Sequence, residues 1–505
     1  KDVPDASIPE EAVRVDCKGY AAAPGFIDAH SHSDRGLLLH PGAECLIRQG
    51  ITTTVGGNCG SSSAGLDINN ERSWRQYKEA DIDRWDGMKG FLDTVDKVHP
   101  AVNIAMLAGH GDFRRALAGD SGRPLTAEEK GQMKSFAAKA LTDGAFGISS
   151  GLEYVPGRFA DVDELASVSA GIVAFGGIHA SHIRNEGPML LESIDELVAV
   201  AKQSGARIEI SHLKSCGPDN WGKVAKVLEV FDTENVKGID ISSDFYPYLA
   251  SSTGLSIVLP DWVLEQGRQA AIEILLPYKR IFESGQKSLA DLESDTAKKA
   301  CTESNARTLV QGGWDKIVIT SIKNPEDKWM EGLNVEEVSL KLELPAAETA
   351  MGILARNNID VGIARHAMSE DDLISVMKHP RSCVVTDGSV SIPSKGKIHP
   401  RSIGTYPRLF GRYVKELGVL SVEEAVRKCT SLPASKIGLK DRGILSEDKM
   451  ADIIIFDPDT IAEKSTYQDP WQYPVGIFAL FVNGSPVIWE GNVTGKRPGK
   501  ALRRS

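Results

Sequence analysis

Ala23-Pro24-Gly25-Phe26-Ile27-Asp28-Ala29-His30-Ser31-His32 carries the first strand of the chain and its first ligand-type side chains. Pro24 and Gly25 stop whatever precedes them, and the apolar run that follows is too short for a helix. Side chains alternate faces along an extended strand, so His30 and His32 point the same way, about 6–7 Å apart. Two imidazoles at one strand end can hold a divalent ion between them. Two surface histidines would have the same spacing, so the pair alone does not separate the readings. Later strands do, because several of them also end in a ligand-type residue.

Downstream, 44–50 reads as a helix end closed by a glycine cap, and 51–55 as a β-branched second strand. That strand runs into Gly56-Gly57-Asn58-Cys59-Gly60 and delivers Cys59 at its end. A third strand, 102–107, ends near His110; the helix 127–142 follows, with Thr126 as its N-cap. Residues 146–149, 177–182, 208–212 and 239–244 read as the fourth to seventh strands, separated by helices over 161–174, 188–204 and 221–232. Strands alternating with helices of this length imply a parallel sheet. Regularity breaks from Phe245 to about Pro380, where helical segments at 264–278, 287–302, 346–357 and 369–378 indicate an insertion. The eighth strand, 383–386, ends at Asp387-Gly388. Eight strand–helix units make a (β/α)8 TIM-type barrel the economical fold.

After helices near 408–417 and 421–429 the chain turns to β, with strands at 452–456, 477–482 and 486–489 around the turn at Asn483-Gly484. These are expected to pair with residues 1–22, which carry a short strand at 13–16, as a small β-sandwich module built from both chain ends. The expected division is therefore 1–22 and 431–505 in the module, and 23–430 in the barrel, with an insertion over about 255–370 that is helical and covers the site. The basic tail from Lys496 to Arg504 reads as a solvated end.

The composition, 41% hydrophobic and 25% charged, is that of a globular chain, and the net charge of −11 argues against nucleic-acid or anionic-membrane partners. No run of 18 apolar residues appears, so no membrane-spanning helix is expected. Seven scattered cysteines without a C-x-x-C pair fit reduced thiols and a cytoplasmic location. The first residue is Lys1 rather than Met, and further residues before it are expected.

In a parallel barrel the C-terminal strand ends converge on one face. There His30 and His32 (strand 1), Cys59 (strand 2), His182 (strand 5), His212 (strand 6) and Asp387 (strand 8) would form one site. Only 11 histidines exist in the chain and four fall at such ends, which is hard to ascribe to chance. Imidazoles with a thiolate suit zinc, and a facing carboxylate suits a general base. Taken singly, Cys59 is a small buried hydrophobe, His212 a core residue and Asp387 a turn residue. Taken in barrel order they are a metal centre.

The pattern resembles the amidohydrolase superfamily and, within it, the N-acyl-D-amino-acid deacylases, or D-aminoacylases. It is carried by PGFIDAHSHSD (24–34), GGNCG (56–60), GISSGLEYVPG (147–157), HASHIRNEG (179–187), ISHLKSCG (210–217), SDFYPYLASST (243–253), VVTDG (384–388) and HPRSIGTYPR (399–408). The resemblance implies hydrolysis of the amide of a small N-acyl-D-amino acid. It implies a tight zinc held by Cys59, His182 and His212, and a second, weaker site at His30 and His32. Most binuclear relatives use a carboxylated lysine on strand 4; this chain has none there, and Cys59 takes that place. Asp387 would take a proton from the attacking water and pass it to the departing amine. Lys214 and Tyr246 would anchor the substrate α-carboxylate, helped by a serine at 251 or 252, here assigned to Ser252, while Arg401 would reach an acidic side chain. Tyr154, Arg184, Glu186 and His366 are supporting or lid candidates. A cyclic amidase or dipeptidase, or a non-catalytic barrel scaffold, is the rival reading. Oligomeric state is left open.

Overall fold

Eight parallel strands follow one another around a barrel in a computed structural model that describes residues 14–65, 71–284, 294–393 and 397–504. They are strand 1 (Phe26–Asp28), strand 2 (Ile51–Gly56), strand 3 (Asn103–Gly109), strand 4 (Gly147–Gly151), strand 5 (Ile178–His182), strand 6 (Arg207–Ile210), strand 7 (Ile241–Phe245) and strand 8 (Ser382–Val384). Strands 2 to 5 are buried at every position, because helices cover the outside and side chains fill the inside. The intervening helices start where expected. Thr126 and Glu129 form a reciprocal capping box on Ala127–Thr142, and Asp161 caps Val162–Val173.

The barrel closes without a regular ladder between strands 1 and 8, and side chains stitch the gap instead. The Asp28 carboxylate accepts from the Thr386 backbone N–H (2.9 Å) and hydroxyl (2.6 Å), and the Tyr406 hydroxyl contacts the carbonyls of Ile27 (3.1 Å) and Val384 (3.3 Å). Beyond the strand ends, Asp387 N–H donates to His30 O (2.9 Å) and His32 N–H to Gly388 O (2.7 Å). This stitching brings the histidine pair against Asp387.

The insertion between strands 7 and 8 has its own apolar core, including Leu275, Ile319, Met351, Leu354 and Ile363. It is not purely helical. Ser251–Gly254, Ile317–Ile322 and Val361–Arg365 form a three-stranded antiparallel sheet with the middle of the insertion wrapped round it. The helix expected over 287–302 is Asp295–Leu309; residues 285–293 lie outside the described residues. The expected segment 369–378 appears as Glu370–Lys378 and packs on strands 7 and 8, so it belongs to the barrel.

The terminal module, expected as a sandwich, is a single five-stranded antiparallel sheet among the described residues. Its inner face needs no second sheet, because Ile454, Phe456, Leu480 and Val482 join the barrel's own core and Phe26 stacks near Phe410 and Phe456. The N-terminal strand is Ala21–Pro24, paired with Ile453–Phe456, and residues 14–16 carry no strand; Val13 lies outside the described residues. Val15 is only half-buried between exposed Arg14 and Asp16, whereas Ala23 packs into the core. The basic tail is also not solvated throughout. Ala501 and Leu502 are buried, and Leu502 N–H donates to Ile104 O (2.7 Å) beneath strand 3. No helix among the described residues is long and apolar enough to cross a membrane.

Candidate metal centre

The strand ends bring the expected donors together around one sulfur. Cys59 Sγ lies 3.4 Å from His30 Nε2, 3.8 Å from His212 Nε2 and 3.9 Å from His182 Nδ1. His182 Nδ1 and His212 Nε2 are 2.9 Å apart, and Asp387 Oδ1 lies 3.1 Å from His32 Nε2 and 3.6 Å from His30 Nε2. These donor atoms converge closely enough for one or two ions to replace the direct contacts between them. Imidazoles with a thiolate and a carboxylate form the donor chemistry that zinc takes.

Holding three of these residues in place carries a conformational cost. Cys59 (φ 52°), His212 (φ 37°) and Asp387 (φ 47°) all adopt left-handed backbone, which side-chain-bearing residues rarely do. Such outliers persist where the surroundings over-determine them, typically at functional sites. At His212 the determinant is Asp244, near the end of strand 7. Its Oδ1 accepts the His212 backbone N–H, and its Oδ2 lies 3.3 Å from His30 Nδ1.

Three of the four donor histidines present their far nitrogen to a carboxylate. His30 faces Asp244, His182 Nε2 faces Glu153 Oε2 (3.1 Å), and His212 Nδ1 faces Glu186 Oε1 (3.0 Å). A carboxylate behind a histidine fixes its tautomer and orients the ring toward a metal. Electrostatics follow from this packing. Burial pushes the Cys59 thiol up, but charge on His30 and hydrogen bonds from His182 and His212 outweigh it and hold the group well below the ordinary thiol range. Burial also works against ionised Asp387, yet the Arg401 guanidinium (2.7 Å) and His32 keep its carboxyl well below the usual value. Both groups are thus held as anions.

A cavity of about 220 Å³ opens over these atoms. His32, Cys59, His182, His212 and Asp387 line it, and His30 sits fully buried behind Cys59. Lys214, Tyr246, Ser252 and Arg401 line it too. Two cations lie near the Tyr246 ring, with Lys214 Nζ 5.6 Å and the Arg401 guanidinium 4.9 Å from its centre. Lys214 is ion-paired with Glu186, which raises its pKa although burial opposes the charge. Arg401 is bonded to Asp387 and to the Ser252 carbonyl (3.3 Å). Tyr154 and Glu186 also line the cavity. Arg184 does not, being tied to Glu196 and the Ala160 carbonyl, and neither does His366, whose ring packs on Tyr467.

The family model described as "Amidohydrolase family" matches residues 14–237 and 397–487. The chain belongs to the amidohydrolase family. Within that family it is 32% identical over 97% of its length, and 88% of the relative's, to N-acyl-D-glutamate deacylase of Alcaligenes xylosoxydans xylosoxydans. Among solved structures it is similar to N-acyl-D-glutamate deacylase of Bordetella bronchiseptica, in complex with zinc and a phosphonate mimic of the tetrahedral intermediate (29% identity, TM-score 0.78, 96% of this chain and 90% of the other). It is similar also to a D-aminoacylase studied for its binuclear metal centre (29% identity, TM-score 0.78, covering 99% and 92%). This amidohydrolase is thus a metal-dependent hydrolase of the D-aminoacylase branch. Three residues of its site escape a reading of the sequence: Glu153, Asp244 and Arg365. Asp244, the last residue but one of strand 7, was open to the same strand-end argument as Asp387. Glu153 lies within the quoted GLEYVPG segment, whereas buried Arg365, which reaches the cavity from the insertion, carries no sequence signal.

Proposed function

We propose that this amidohydrolase cleaves the amide of N-acyl-D-amino acids, giving a carboxylate and a D-amino acid. The observation that carries the reading is a single cavity pairing a thiolate–imidazole donor set with a cationic wall. The names of the relatives support the D configuration. In this reading Cys59, His182 and His212, whose donor atoms lie 2.9–3.9 Å apart, hold one zinc tightly, and His30 and His32 offer a weaker second site next to Asp387. Zinc, when bound, supplies Lewis-acid activation of the amide carbonyl and of water.

The remaining work falls to the chain. Asp387, kept ionised by Arg401, accepts the proton of the attacking water and returns it to the leaving amine. Lys214 and Tyr246 receive the α-carboxylate, with the Ser252 region closing that end, and Arg401 reaches an acidic side chain. Glu186 keeps Lys214 charged and aimed while it waits. A cyclic amide has no such carboxylate, so this wall weighs against the ring-opening alternative. All seven cysteines are free, five of them buried, which supports a reducing, cytoplasmic setting.

Turnover of N-acetyl-D- and L-amino acids, their α-amides and a hydantoin by zinc-loaded protein tests the proposal. Hydrolysis of the D-acids, with the amides and the hydantoin rejected, is the expected result. Preferential opening of the hydantoin, or equal turnover of acids and amides, overturns it.

A further inference from the structure

A second chamber of about 260 Å³ adjoins the catalytic cavity, and the two share Glu153, Tyr154 and Ile257 as a common wall. One side of it is the loop after strand 4, including Val155; the other is the insertion, through Leu264 and Ile359. We propose that this chamber receives the acyl group of the substrate, and that straight acyl chains of about four to eight carbons are preferred to acetyl. The proposal rests on the deacylase reading and adds to it a class of acyl donor.

Three observations carry it. The first is position. The acyl chain grows from the reacting carbonyl carbon, so it must leave from beside the donor cluster, and Tyr154 packs its ring 4.6 Å from that of His182. Lys214, Tyr246 and Arg401, which take the amino-acid half of the substrate, line the first cavity and not the second. The second is chemistry. The ionised groups of the chamber already have partners: Arg158 with Asp261, Asp120 with Arg115 (3.0 Å), Glu153 with His182 and Arg268 with the Asn358 carbonyl (2.9 Å). What remains open is apolar surface from Tyr154, Val155, Ile257, Leu264 and Ile359. That surface suits a hydrocarbon and offers a second carboxylate little.

The third is backbone strain at the far wall. Asn358 (φ 50°) and Ile359 (φ 61°) both stand in the left-handed region, and for a β-branched residue this is a true outlier. Arg268 holds the turn by its bonds to the Asn358 carbonyl. A glycine would hold the same turn without strain but would not supply the Ile359 side chain to the wall.

The test measures kcat/KM for the N-acetyl, N-butanoyl, N-hexanoyl and N-octanoyl derivatives of one D-amino acid, alongside N-acetyl derivatives with side chains of increasing length. In the parent, kcat/KM should rise roughly fourfold per added methylene until the chamber is full. Leu264→Trp, which fills the chamber, should lower the hexanoyl-to-acetyl ratio by at least ~10-fold while leaving the ranking of side chains in place. Ile359→Gly removes part of the wall and relieves the strained turn, so it should fold and also lower that ratio. It serves where the tryptophan does not fold. An unchanged ratio in a folded variant overturns the proposal, as does a shift in the side-chain ranking instead. A parent that cleaves N-acetyl-D-amino acids but is indifferent to acyl length refutes the chamber and spares the deacylase reading. A parent that cleaves no N-acyl-D-amino acid refutes both.

Discussion

At the scale of single residues, Cys59 decides how the site works, because its sulfur touches donors from strands 1, 5 and 6 at once. A site with three protein ligands keeps neither its geometry nor its affinity after losing one. Cys59→Ala and His212→Ala should therefore purify without stoichiometric zinc and without activity, while His30→Ala keeps the tight ion. Metal analysis by emission spectroscopy checks this, and equal zinc in Cys59→Ala and the parent would remove the cysteine from the ligand set. Asp387→Asn preserves shape, and asparagine tolerates the left-handed backbone found there, so the variant should fold and hold zinc. Unable to accept a proton, it should lose at least ~10²-fold in kcat. Wild-type turnover in that variant would reduce Asp387 to a turn residue. The donor types were legible in the sequence because strand ends in a parallel barrel converge by rule. Their supports were not. Glu153 meets His182 across strands 4 and 5, Asp244 meets His30 across strands 7 and 1, and neither pairing has a spacing that announces it.

At the scale of elements, the strand–helix alternation was legible because the barrel strands are short and buried, and side-chain caps mark the starts of helices such as Ala127–Thr142 and Val162–Val173. The sheet inside the insertion was not. Ser251–Gly254 pairs with Val361–Arg365 more than a hundred residues later, and its four half-buried residues Ser251, Ser252, Thr253 and Gly254 have no apolar alternation to mark them. The same strand supplies Ser252 to the cavity, so the insertion is built into the site and also covers it. Limited proteolysis between 255 and 370 should slow in the presence of a saturating product or phosphonate; cleavage indifferent to ligand counts against closure. The insertion also carries a buried cost. Burial raises the Glu348 carboxyl, in the first turn of Ala346–Arg356, to about 7. The folded chain therefore keeps a proton that the unfolded chain has already released, and stability falls as pH rises from the ordinary carboxylate value toward 7. Glu348→Gln should leave stability unchanged near pH 4 and raise Tm by about 1–3 °C at pH 7.5. Thermal melts at the two pH values check the sign, and a gain at pH 4 alone would contradict it.

At the scale of the whole molecule, the barrel and the terminal sheet share one continuous apolar core, and both ends of the described chain are needed to complete it. Ala21–Pro24 has no partner until Ile453–Phe456 arrives, and the underside of strand 3 is finished only when Ala501 and Leu502 settle beside Ile104. A ribosome adding residues at about 5–20 per second leaves Ile104 waiting roughly 20–80 s for Ala501. Throughout that interval the nascent barrel carries an open floor and unpaired strand edges, the surfaces on which growing chains aggregate. The floor of this barrel is thus closed by residues made some four hundred positions after the strand they cover, so the barrel cannot be completed until residues 501 and 502 have been made.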